Sequence, residues 1–185
     1  ISKGFWISKT EITNKQWQEE MGAPPSPLKG DNMPVVNVSW IDCQEFVDRM
    51  SRRGVGKFRL PTEAEWEYAC RAGTNSDFSF GDSLTGDQAN FESSQPVEVG
   101  QYPPNAWGLC DMHGNVMEWC WDWYDPGYYS ISPTIDPQGP ANGSLRVARG
   151  GAWNRKGGEC RSAYRAAYPP DTRADNLGLR LCREE

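Results

Sequence analysis

The stretch RGGAWNRKGGECRSAYR, Arg149 to Arg165, holds the residues of this chain best placed to do chemistry. A cysteine beside an arginine, as Cys160 is beside Arg161, can be a low-pKa thiolate, because the cation favours the anionic form that attacks electrophiles and binds metals. The alternative is a thiol plugged into a core, and this is the expectation for Cys160. The six cysteines (Cys43, Cys70, Cys110, Cys120, Cys160, Cys182) are widely spaced and form no C-x-x-C pair, which argues against a zinc knuckle. They are expected to be buried thiols. Glu118 and Asp122 fall on one face of the alternating segment VMEWCWDWY. Paired acids can do acid–base work, but partnership with Arg149, Arg161 or Arg180 is the expected role. Asp82, Asp87 and Asn90 offer oxygen ligands to a hard cation such as calcium, with Asn90 the candidate, although their spacing matches no calcium loop. His113 is the single histidine. It cannot by itself supply a facial iron triad or a multi-histidine zinc site. A Ser-His-Asp triad would have to use it, and no G-x-S-x-G elbow is present.

These groups must be positioned by the surrounding elements. Thr13 with Gln16, Ser39 with Asp42 and Thr62 with Glu65 read as capping boxes opening three helices. Trp40, Cys43, Phe46, Val47 and Met50 fall at helical spacing, as do Trp66, Ala69 and Cys70, so each set predicts a core-facing stripe. Gly54 and Gly73 are the expected stops. Thr74 to Pro104 is irregular, and so long a loop inside a compact domain is expected to be functional or tied to a ligand. In VMEWCWDWY, Met117, Trp119, Trp121 and Trp123 share one strand face, expected to be a core wall. SLRVARGGAW predicts a strand entering a Gly-Gly corner. NLGLRLC predicts another, with Leu177, Leu179 and Leu181 on one face. Asn154 to Asn176 reads as polar and irregular.

The chain of 185 residues suits one domain, 1–185, with no internal repeat. A net charge of −6 argues against general nucleic-acid binding. No apolar run approaches the ~20 residues of a membrane span. The sequence begins at Ile1, so a fragment or mature form is expected, with any signal or lipid anchor upstream. A cell-surface or secreted setting is the expectation.

RLPTEAEWEYACRAGT, YPPNAWGLCDMHGNVMEWCWDWY and RVARGGAWNRKGGECRSAYR…DNLGLRLC occur in this order, after ITNKQW and PVVNVSW. Together they resemble the formylglycine-generating-enzyme-like (sulfatase-modifying-factor) family along nearly the whole chain. The resemblance implies an α+β, C-type-lectin-like fold: a small twisted antiparallel sheet, two or three helices and long ordered loops. It also implies that the segment after RGG lines the ligand-binding face. The family's namesake oxidises a substrate cysteine using copper(I) held by two cysteines five residues apart. Counted from Gly151, those positions fall on Arg155 and Cys160. An arginine cannot replace a thiolate for soft Cu(I), so copper is not expected. Relatives that use iron held by histidines are likewise unmatched, with only His113 present.

The chain also resembles another branch with this fold, the variable proteins of bacterial diversity-generating retroelements. That resemblance implies a fixed scaffold of Gly150, Gly151, Trp153, Cys160, Arg161, Arg165 and Arg180, with variable residues between. The implied ligand-binding positions are Asn154, Arg155, Gly157, Gly158, Tyr164, Ala166, Ala167, Tyr168, Pro170, Asp171, Thr172, Ala174 and Asp175. Each is reachable from an asparagine codon by changing its adenines alone, whereas Lys156 and Glu159 are not. The expected function is a non-catalytic domain that presents these side chains to a protein or other macromolecular ligand, without a cofactor. A copper-dependent oxidase and an accessory domain are the alternatives. Arg161→Ala is expected to cost stability more than affinity.

Overall fold

The computed structural model describes residues 1–184. Its three helices begin at the three capping boxes: α1 (Asn14–Met21), α2 (Trp40–Arg52) and α3 (Glu63–Arg71). At each N-terminus the Thr or Ser side chain accepts the backbone N–H of the third helical residue. The side chain of that residue accepts the N–H of the cap in return. Helix α2 buries Cys43, Phe46 and Val47, and α3 buries Trp66, Ala69 and Cys70. Gly54 follows α2 with a left-handed backbone, while α3 already turns at Ala72, one residue ahead of Gly73.

The strands are β1 (Phe5–Ile7), β2 (Phe58–Arg59), β3 (Met117–Trp123), β4 (Arg146–Arg149), β5 (Ala166–Tyr168), β6 (Leu177–Leu179) and β7 (Cys182–Glu184). One antiparallel sheet has the order β1-β7-β2, and a second has the order β5-β4-β3-β6. In the second, β3–β4 and β4–β5 are antiparallel but β3–β6 is parallel, with Met117 opposite Leu177. The sheet is therefore mixed. The segment from Asn154 to Asn176 is more ordered than its polarity predicts, since it contains a 3₁₀ turn at Gly157–Cys160 and the edge strand β5.

The core joins α1, α2, β3 and β6 through Trp17, Phe46, Leu60, Met117, Trp119, Leu177 and Leu179. The tryptophan wall expected on β3 is only half right. Met117 and Trp119 are buried, but Trp121 is 42% exposed and Trp123 half-buried. The β3–β4 register shifts between Trp119 and Trp123, and such an irregularity re-aims the side chains beyond it. The Arg146 guanidinium then lies over the Trp40 ring at 3.7 Å and the Trp123 ring at 3.5 Å, so one tryptophan of α2 and one of β3 clasp a cation. The opposite face of β3, Glu118 and Cys120, is fully buried as well.

Candidate ligand-binding face

β4 delivers the chain to Gly150 and Gly151, both at positive φ. A Cβ on Gly151 would lie 2.5 Å from Cys160 Sγ and 2.8 Å from the Glu159 carbonyl oxygen, so only glycine permits this approach. Trp153 then donates its N–H to the Asn115 carbonyl, and the 3₁₀ turn carries the chain to Cys160.

Three buried or half-buried arginines hold this segment. Arg149, with no exposed surface, donates to the carbonyls of Ser162 and Tyr164 and pairs with Glu67. Arg165 makes a two-pronged contact to Glu63 at 2.6 and 2.8 Å and lies against the rings of Tyr124 and Tyr129. Arg180 embraces Glu118 through Nε and Nη2 and donates to the carbonyls of Ser8 and Cys110. Such planar, charge-assisted contacts fix geometry as well as adding attraction.

Two pairings expected from the sequence are corrected. Arg161 is exposed and, among the described residues, has no ion-pair partner. Its neighbour Ser162 is the one that turns inward, so Arg161 does not belong to the scaffold. Among the described residues, Asp122 has no arginine ion-pair partner either. It accepts the Glu63 N–H at 2.7 Å, at the start of α3, and burial pushes its carboxyl up to about 7.

Cys160 is fully buried, and burial pushes its thiol up to about 12. All six cysteines are buried and free. His113 ties two distant segments together. The Ser79 N–H donates to its Nε2 at 3.1 Å, so Nδ1 carries the proton and donates to the Cys160 carbonyl at 2.8 Å. Burial lowers its pKa to about 4, keeping it neutral. The sequence did not reveal this link, nor the roles of Glu63 and Glu67. The nearest signal was the spacing of those two acids, one turn apart on α3.

The long loop buttresses the same face. Glu92 and Ser93 donate their N–H groups to the Arg155 and Trp153 carbonyls, Asp77 accepts from Ser162, and Phe91 packs beside Gly157. Asn90 is engaged in this bracing: its amide donates to Gln95 and Asn115, while Asp82 and Asp87 are exposed. Among the described residues, no group of three acidic, histidine or cysteine side chains is arranged to hold a metal.

The positions expected to meet a ligand differ in exposure. Asn154, Gly158, Asp171 and Asp175 are exposed. Arg155, Gly157, Tyr164, Ala166, Ala167, Tyr168, Pro170, Thr172 and Ala174 are half-buried. Trp153, Ala166, Tyr168 and Ala174 also pack against the core, so these positions are anchored from beneath. Tyr168 sets its ring edge-on to Trp119, and its hydroxyl accepts from Arg155 at 3.1 Å. Asn154 accepts from Asn176 at 2.9 Å. A cavity of about 1150 Å³ lies elsewhere, among Lys57, Arg59, Glu65 and Trp121.

The geometry required of a two-thiolate copper(I) site is absent from these residues. Position 155 carries a guanidinium, and the one sulfur, Cys160, is closed in by the Gly151 backbone.

The sulfatase-modifying factor enzyme 1-like domain matches residues 1–185. The chain is 38% identical over 200 residues to the formylglycine-generating enzyme of Streptomyces coelicolor, covering 97% of this chain and 61% of that protein. It is 42% identical over 153 residues to the serine/threonine-protein kinase pkn1 of Chlamydia caviae, covering 81% of this chain and 24% of the kinase. The chain thus spans less than two thirds of either relative. Among solved structures, Treponema denticola variable protein 1 superposes with a TM-score of 0.90 at 30% identity, covering 98% of this chain and 84% of that one.

Proposed function

The chain belongs to the sulfatase-modifying factor enzyme 1-like family, and from that premise we propose that it is a non-catalytic display domain. In this reading it is a diversity-generating-retroelement variable protein that binds a protein or other macromolecular ligand. The residues presented are Asn154, Arg155, Gly157, Gly158, Tyr164, Ala166, Ala167, Tyr168, Pro170, Asp171, Thr172, Ala174 and Asp175. The observation that carries the reading is the contrast between positions 155 and 160. The family's copper chemistry needs two accessible thiolates there, whereas this chain has an outward arginine and a sealed, high-pKa thiol. The likeness to a variable protein supports it further. So does the tyrosine-bearing surface, since tyrosine offers contact area at little entropic cost.

The formylglycine-generating oxidase is the second reading, favoured by the 38% identity to such an enzyme. A Cu(I) titration at stoichiometric protein separates the two. The display reading predicts no tight copper binding and no oxygen uptake with a cysteine-containing peptide. Stoichiometric Cu(I) binding with turnover of that peptide would overturn it.

A further inference from the structure

Three of the displayed residues, Arg155, Tyr164 and Tyr168, form one hydrogen-bonded cluster with Glu159. Glu159 Oε1 accepts from the Tyr164 hydroxyl at 3.2 Å and from Arg155 Nη1 at 3.5 Å. Arg155 Nη2 donates to the Tyr168 hydroxyl at 3.1 Å. The second Glu159 oxygen accepts the Lys156 N–H at 3.2 Å, which tethers the carboxylate to the 3₁₀ turn. The Arg155–Glu159 contact is long for a charge-assisted bond and partly solvated, the two side chains being 36% and 29% exposed. Contacts of this kind are weak and readily exchanged.

The surroundings favour an incoming anion. Lys156 and Arg161 are exposed and, among the described residues, have no ion-pair partner. Within the seven residues from Arg155 to Arg161, three cations stand against one carboxylate, Glu159, and the exposed Glu92 donates its N–H to the Arg155 carbonyl. Burial and the Glu159 carboxylate hold the Tyr164 phenol above its usual pKa, so it remains a donor. Beside the cluster, a Cβ on Gly158 would meet nothing within 4 Å, which leaves room for a ligand atom.

Building on the display reading, we propose that Arg155, braced by the Tyr168 hydroxyl, and Tyr164 form a carboxylate-recognition site, at which an acidic side chain or free C-terminus of a protein ligand exchanges for Glu159. Glu159 is then an internal stand-in that keeps the donors aligned until a ligand carboxylate arrives. Pre-alignment of this kind lowers the ordering cost of binding.

The test is an NMR titration of the 185-residue chain with three acetylated peptides on one Gly-Ser frame. One carries two internal glutamates and a C-terminal amide. The second has glutamines in their place, and the third lacks both but ends in a free carboxylate. The glutamate peptide, the free-carboxylate peptide or both should shift the Arg155 side-chain and Tyr164 ring signals, and which of them does so identifies the source. The glutamine peptide should not. Arg155→Ala should weaken binding at least about tenfold, the loss of one charge-assisted bond. Glu159→Gln, which neutralises the internal competitor, should tighten it. Equal binding of the glutamine peptide, no response to any peptide, or weaker binding by Glu159→Gln would overturn the proposal. The display reading would not fall with it, because that rests on copper binding and on the coding DNA.

Discussion

The Cys160 sulfur is sealed by Gly151, whose missing Cβ would sit 2.5 Å from it. Closure and a thiol pushed up to about 12 together deprive Cys160 of both access and thiolate character. A disulfide reagent such as DTNB should leave Cys160 unmodified in the native protein and label it only after denaturation. Gly151→Ala should lower stability by at least about 2 kcal/mol, since it adds strain at positive φ and a steric overlap with backbone. Native labelling at Cys160 by mass spectrometry would contradict this picture.

The Glu118–Arg180 pair predicts a larger loss. Both residues are fully buried, and Trp66 also donates to Glu118 at 2.6 Å. Removing one partner strands a buried charge, which costs about 3–5 kcal/mol. Arg180→Met should therefore show a far lower denaturation midpoint in urea. The paired change Glu118→Gln with Arg180→Met should recover part of the loss. Equal losses in the single and double variants would mean that the two do not act as a pair.

Arg161 and Arg165 should now separate. Arg161 is exposed, so Arg161→Ala should change stability by no more than about 0.5 kcal/mol. Arg165→Ala removes both short hydrogen bonds to the buried Glu63, leaves it only the 3.5 Å contact to Arg149, and should lower the melting temperature clearly. Identical melts for the two variants would undo the division into display and scaffold.

Two buried groups give stability opposite pH dependences. His113 has its pKa lowered from 6.5 to about 4, so the unfolded chain binds the proton more readily. Its contribution is complete above about pH 6.5 and is lost as pH falls through about 4. Asp122 has its pKa raised from 3.8 to about 7, so its contribution is complete below about pH 4 and is lost as pH rises through about 7. His113→Gln should remove the acid-side decline at some cost near neutrality. Asp122→Asn should flatten the decline toward pH 7 while keeping an acceptor for the Glu63 N–H. Chemical denaturation at pH 5, 6, 7 and 8 reads both slopes, and unchanged slopes in the variants would remove these assignments.

Much of the fold was legible because its signals are local. A capping box such as Thr62 with Glu65 involves residues three apart, and the Cys43–Phe46–Val47 stripe follows from helical spacing. The supports of the site are distant in sequence. Arg149 reaches Glu67, His113 reaches Ser79 and Cys160, and Asp77 holds Ser162. No short pattern encodes those contacts, so the loop from Thr74 to Pro104 could be identified as important but not as a buttress. The misassignment of Arg161 has the same origin: its sign and neighbourhood suggested a scaffold, but the turn at Ser162 decides which way it faces.

The central claim is that this face is diversified upon a fixed scaffold, and the DNA flanking the gene tests it most directly. The account predicts a near-copy of the segment encoding Trp153 to Arg180 beside a reverse-transcriptase gene. The two copies should differ only at template adenines, within the codons of the displayed residues, with Trp153, Lys156 and Glu159 unchanged. A flanking region with no such copy, or differences falling in the codons for Trp153, Lys156 and Glu159, would contradict it.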